Sequence, residues 1–189
     1  SMKLLFFGTG YVGLVSSVCF ASKGHDVCAV DINPNIVNNL NLGKPTIFEE
    51  GLQEMLSDCL SSKKIIFSTE PLDEINSYDA IFICVGTPPR EDGSSDLSSL
   101  FSVVDSISPS LKDKTPIIIK STVPVGTCNN VKQHIQENSQ CKEPTIISCP
   151  EFLREGMAIS DFLKPDRIVA GFDKPHIEDL LKDLFFSLD

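Results

Sequence analysis

The chain has 189 residues, enough for one substantial domain. Acidic residues outnumber basic ones by 26 to 16, a formal net charge of −10, which argues against a nucleic-acid partner because a phosphate backbone calls for a basic face. The longest apolar run, AIFICV at 80–85, is far shorter than the roughly 20 residues that cross a bilayer, so no membrane span is expected.

The elements follow one another in a regular order. Residues 3–7 are a short apolar run that stops at Gly8, the pattern of a buried strand. From 10 to 23, Leu14, Val15, Val18, Cys19 and Ala21 recur at helical spacing, and Gly24 is placed to end that helix. DVCAVD at 26–31 reads as the next strand. Pro34 fits the first turn of a second helix, with Ile36, Val37 and Leu40 on one face. A helix over 50–60, a strand over 64–67 and a stronger strand over 79–85 continue the alternation. TPPREDGSSD at 87–96 reads as an ordered loop, and Asp96 can cap a helix running to about Ser108. A strand at 116–120, a helix at 127–137, a strand at 145–148, a strand at 167–171 and a helix at 176–187 complete the series. In that last helix Leu184, Phe185, Phe186 and Leu188 read as packing on the sheet. Strands alternating with helices predict an α/β, doubly wound, mostly parallel sheet in one Rossmann-like domain over 1–189, with right-handed crossovers.

The N-terminal SMKLLFF has no signal-peptide architecture, and Ser1 ahead of Met2 reads as a remnant of tag removal. Seven cysteines, an odd number with no C-x-x-C spacing, read as reduced thiols of a cytoplasmic protein. His25, His134 and His176 are scattered without ligand spacing, so no metal site is expected.

Gly8-x-Gly10-x-x-Gly13 lies between the first strand and the first helix, where a dinucleotide cradle belongs. Gly8 permits the turn, Gly10 lets backbone approach a diphosphate, and Gly13 lets the helix pack on the strand. Asp31 follows Gly8 by 23 residues, at the end of the second strand. Its carboxylate is placed to accept the adenosine ribose hydroxyls, although it could equally cap the next helix. No Arg or Lys occurs in INPNIV after it, so a 2′-phosphate would meet Asp31 without a cation, which favours NAD over NADP.

Three further segments follow strands: VGTPP at 85–89, KSTVPVGT at 120–127 and CPEFLREG at 149–156. Each sets a hydroxyl or carboxylate where doubly wound sheets bind ligands. Singly, each is also consistent with a capped loop.

Together and in order, GTGYVG, VGTPP, KSTVPVGT, PEFLREG and FLKPDRIVAG (162–171) resemble the UDP-glucose/GDP-mannose dehydrogenase family over essentially the whole chain. Within it, FLKPDRIVAG is most similar to the members that act on UDP-glucose. The resemblance implies an oxidoreductase of nucleotide-sugar metabolism that oxidises the C6 alcohol of UDP-glucose to UDP-glucuronate with two NAD molecules in succession. A cysteine traps the aldehyde as a thiohemiacetal, and the thioester formed from it is hydrolysed. By resemblance, Gly8, Gly10, Tyr11, Val12, Gly13, Asp31, Val85, Thr87, Ser121, Thr122 and Glu155 serve the cofactor. Glu151, Phe152, Leu153, Arg154 and Glu155 line the UDP-sugar. Thr122 holds a catalytic water, and Glu151 is the general base of hydrolysis, a role that suits a carboxylate beside a water.

The sequence departs from the family in two ways. Ile36 stands where a Lys or Arg often follows the ribose-binding Asp. The glycine-rich motif with the catalytic cysteine, and the catalytic lysine, belong to a second half that has no counterpart here. Each of the seven cysteines reads instead as a small buried hydrophobe, Cys149 included. The chain is therefore expected to be the N-terminal, NAD-binding half of a longer enzyme, without complete turnover alone. The full-length enzyme is expected to form a homodimer or higher homo-oligomer. Two other readings stay open: a dehydrogenase of GDP-mannose or an N-acetylated sugar nucleotide, and a non-catalytic NAD-binding module.

Overall fold

The computed structural model describes residues 1–113 and 115–149. The expected strand at 167–171 and helix at 176–187 lie outside the described residues.

Six strands form one parallel sheet: β1 (Lys3–Phe7), β2 (Asp26–Val30), β3 (Ile65–Ser68), β4 (Ala80–Ile83), β5 (Ile117–Ile119) and β6 (Ile146–Ser148). Their order across the sheet is β3-β2-β1-β4-β5-β6, and every pairing is parallel. The chain starts in the middle, winds outward through β2 and β3, then returns to β4 beside β1 and winds the other way. That reversal opens a crevice beyond the C-terminal ends of β1 and β4, the place where doubly wound sheets take ligands.

The period of two along each strand divides the core into two layers. Leu4, Phe6, Val27, Ala29, Phe82 and Ile118 face one way, against α1 (Tyr11–Ser22), α2 (Pro34–Asn41) and α3 (Leu52–Ser61). Leu5, Phe7, Val30, Ile81, Ile83 and Ile119 face the other way, against α4 (Ser98–Ile107) and α5 (Thr127–Asn138). Strands apolar on both faces are what a sheet covered on both sides requires. Under α1 the first layer is aromatic: Phe6 and Phe82 stack on adjacent strands with ring centroids 4.4 Å apart and 3° between planes. Phe20 of α1 completes the cluster, 5.3 Å from Phe82 and 5.9 Å from Phe6.

The ends of the helices follow local chemistry. Gly24 has φ +97 and donates its N–H to the Ala21 carbonyl, so it closes α1 as expected. Pro34 opens α2, and the Asn33 side chain caps it by accepting the Asn35 N–H at 2.9 Å. Asp96 stands two residues before the first turn of α4 and not at its cap position, which is Leu97. Its carboxylate nevertheless accepts both the N–H of Ser98, at 3.0 Å, and its hydroxyl, at 2.6 Å. Those bonds, together with Arg90, hold the carboxyl of Asp96 below the usual carboxylate range. The loop 87–96 is ordered by a Pro89–Ser95 bridge and by the Asp96 N–H bonded to the Pro88 carbonyl at 2.8 Å. No helix among the described residues is long and apolar enough to cross a membrane.

The aromatic cluster makes one clear demand on stability. Phe82→Ala removes a ring that is wholly buried between two others, and it should lower the unfolding free energy by about 3–5 kcal/mol. Urea titration of the variant should show a lower midpoint with an unchanged slope.

Candidate functional site: the crevice at the strand switch point

A cleft of about 410 Å³ lies at the reversal of strand order. Phe7, Gly8, Thr9 and Gly10 bound it from the end of β1, Val30, Asp31 and Ile32 from β2, and Cys84, Val85 and Gly86 from β4. Ser98, Ser99, Ser102 and Val103 of α4 close the far side.

The glycines have three separate physical roles. Gly8 has φ +101, and a Cβ there would lie 2.7 Å from the Cys84 carbonyl oxygen. A Cβ on Gly13 would lie 2.0 Å from the Gly8 carbonyl oxygen, so α1 rests directly on the turn beneath it. Gly10 differs from both: its φ is −70, and a Cβ there would meet nothing within 4 Å. The fold does not need glycine at position 10, whereas a ligand drawn close to the backbone does. Gly10 also caps α1 without a side-chain bond, and no acidic residue stands in its first turn. A helix start of this kind offers N–H groups and the positive end of the helix dipole to an anion. The cradle therefore fits a dinucleotide diphosphate.

Asp31 is at the cleft wall, but its carboxylate is already engaged. Thr9 Oγ donates to Asp31 Oδ2 at 2.5 Å, and the Asn33 N–H donates to Oδ1 at 2.9 Å. Asn33, not Asp31, is the cap of α2. Beside it, Ile32 is 92% exposed and forms an apolar rim.

Comparison with known proteins agrees with this geometry. Residues 2–189 match the NAD binding domain of the UDP-glucose/GDP-mannose dehydrogenase family. The chain belongs to that family. It is 44% identical over 173 residues to the UDP-glucose 6-dehydrogenase of Rhizobium meliloti (strain 1021), covering 91% of this chain and 40% of that protein. Among solved structures it is similar to a UDP-glucose dehydrogenase from the hyperthermophilic archaeon Pyrobaculum islandicum, with 39% identity and a TM-score of 0.88 over 100% of this chain and 44% of the other. It is also similar to a GDP-mannose dehydrogenase from Pseudomonas aeruginosa, with 33% identity and a TM-score of 0.92 over 100% of this chain and 45% of the other. The chain thus spans less than half the length of these relatives. The cofactor of the domain family is NAD.

The other residues that the sequence singles out as family site positions fall into three groups. Val85, Thr87, Ser121 and Thr122 are brought together by a reciprocal pair of bonds between neighbouring loops. Thr87 Oγ donates to the Thr122 carbonyl at 2.7 Å, and Ser121 Oγ donates to the Val85 carbonyl at 2.5 Å. These hydroxyls tie the segment after β4 to the segment after β5, and of the four residues only Val85 lines the cleft. Tyr11 and Val12 sit in the first turn of α1, outside the lining of the cleft, and the Tyr11 hydroxyl donates to Glu49 at 3.1 Å. Glu151, Phe152, Leu153, Arg154 and Glu155 lie outside the described residues.

Among the described residues the seven cysteines form no disulfide; six are buried and Cys128 is half-buried. Cys149 is wholly buried in the core layer under α1. Burial pushes the thiols of Cys28, Cys59 and Cys128 up, away from the thiolate a nucleophile needs. Sequence reasoning missed Thr9 and the three serines of α4. Thr9 occupies a variable place in the glycine pattern, and the serines read only as a helix start. Nothing in their local sequence points toward the cleft.

The glycine geometry separates scaffold from ligand site. Gly13→Ala should destabilise the chain by about 2 kcal/mol or more, because the clash is with backbone. Gly10→Ala should leave stability within about 0.5 kcal/mol and still weaken NAD binding at least about tenfold. Thermal melts and calorimetric titration with NAD on the two variants check both outcomes.

Proposed function

We propose that this chain is the N-terminal, NAD-binding half of a UDP-glucose 6-dehydrogenase, and that the longer enzyme oxidises C6 of UDP-glucose to give UDP-glucuronate. The observation that carries the reading is a ligand-shaped glycine turn at the switch point of the sheet, in a chain 44% identical to a UDP-glucose 6-dehydrogenase. The share of each relative that the chain covers, 40–45%, supports a second half beyond it.

NAD, when bound, supplies the hydride acceptor. The chain's part is to hold and to aim. Gly8, Gly10 and Gly13 shape the turn, and the start of α1 takes the diphosphate. Asp31 would accept the adenosine ribose hydroxyls, beside the apolar rim that Ile32 gives the cleft. Val85 lines the other side of the switch point, and Thr87 and Ser121 brace the loops behind it. Thr122 holds the water of the hydrolytic step, fixed in place because its carbonyl is bonded to Thr87. Glu151 takes the proton from that water. Glu151, Phe152, Leu153, Arg154 and Glu155 line the UDP-sugar, with Glu155 reaching the cofactor as well. The covalent nucleophile lies in the second half, since the cysteines described above are buried or have raised thiol pKa values.

A second reading has its own support. The TM-score to the GDP-mannose dehydrogenase, 0.92, exceeds the 0.88 to the UDP-glucose dehydrogenase. In that reading the same cofactor half serves a different sugar nucleotide. The higher sequence identity to the UDP-glucose enzymes favours the first.

The chain given UDP-glucose and NAD should bind NAD and form no NADH at steady state. Continuous turnover to UDP-glucuronate, followed at the NADH absorbance band, would remove the assignment of the nucleophile to the second half.

A further inference from the structure

Thr9 stands between the first two glycines of the cradle, at a position the glycine pattern leaves open. Its side chain is 3% exposed and turned away from solvent. The hydroxyl reaches across to the end of β2 and donates to Asp31 Oδ2 at 2.5 Å. A carboxylate oxygen facing a hydroxyl accepts its proton, so Thr9 is the donor. The other carboxylate oxygen accepts the Asn33 N–H at 2.9 Å. The backbone below is pinned as well, by the Asp31 N–H bonded to the Ser68 carbonyl at 3.1 Å.

An unrestrained Asp side chain samples three χ1 wells and a broad χ2. Here one donor on each oxygen fixes both torsions. The donor on Oδ2 comes from a β-branched side chain that is itself stiff at χ1. Asp31 lines the cleft, and with one donor on each oxygen its carboxylate keeps acceptor capacity for a ligand. The carboxylate is therefore oriented before any ribose arrives, which spares the ligand the cost of ordering it.

We propose that Thr9 is a positioning residue for Asp31, and that the pair selects an adenosine ribose with free hydroxyls. The inference rests on the reading of Asp31 as the ribose acceptor. The hydroxyl of Thr9 acts through the carboxylate and not on the cofactor directly.

The test is calorimetric binding of NAD and of its 2′-deoxyadenosine analogue to the protein and to Thr9→Val, Thr9→Ser, Asp31→Ala and the Thr9→Val/Asp31→Ala double variant. The unaltered protein should prefer NAD to the analogue by about tenfold or more. Thr9→Val should weaken NAD about five- to twentyfold and weaken the analogue, which leaves Asp31 one ribose hydroxyl fewer, by a clearly smaller factor. Thr9→Ser, which keeps the donor, should bind both nucleotides within about threefold of the unaltered protein. In the Asp31→Ala background, Thr9→Val should change neither affinity. Equal losses for both nucleotides in Thr9→Val would make Thr9 a scaffold residue and overturn the proposal, as would no loss for either. If Asp31→Ala keeps the full preference for NAD, the ribose reading of Asp31 itself falls. Thr9→Ala gives the same comparison if valine disturbs the loop.

Discussion

The contact on which the rest of the site depends is the seat of α1 on the turn after β1. A Cβ on Gly13 would stand 2.0 Å from the Gly8 carbonyl oxygen, and a Cβ on Gly8 would stand 2.7 Å from the carbonyl oxygen of Cys84. Three backbone segments therefore touch with no side chain between them. The contact brings the start of α1 to the crevice between β1 and β4, the point where strand order reverses. The same proximity sets Phe20 of α1 against Phe6 and Phe82, so the aromatic core and the anion site are consequences of one approach.

Around that seat, three hydroxyls join one loop to another. Thr9 ties the glycine turn to the end of β2, and Thr87 and Ser121 tie the ends of β4 and β5 to each other. Each is a hydroxyl donating to a fixed oxygen, which orders a loop at modest entropic cost because these side chains are short. The ends of four parallel strands are thus cross-linked on the ligand side of the sheet. A site built this way is ordered before its ligand arrives.

Much of this was legible in the residues. The strand–glycine–helix unit, the acidic residue at the end of β2 and the alternation of elements all rest on local rules of periodicity and turn chemistry, and the described elements follow them to within a few residues at each end. The family motifs were legible for the same reason, since they cluster after strands. The capping of α2 was assigned only in part: Asp31 could have capped it, but Asn33 is nearer the first N–H and takes that place. Tyr11 and Val12 fall inside the glycine motif yet stand outside the cleft lining, because successive residues on a helix point in different directions. Thr9 carried no signal, since its partner Asp31 is 22 positions away, and the serines of α4 carried none because the cleft they close is formed by other stretches of the chain.

The sequence by itself determined the fold class, the position of the cradle and the family, because each depends on the spacing of residues along one stretch of chain. Only the tertiary structure decided what the carboxylate of Asp31 touches, which residues wall the cleft, and which hydroxyls join one loop to another. Those facts depend on the packing of β1 between β2 and β4, which sets side by side residues that lie tens of positions apart in the chain.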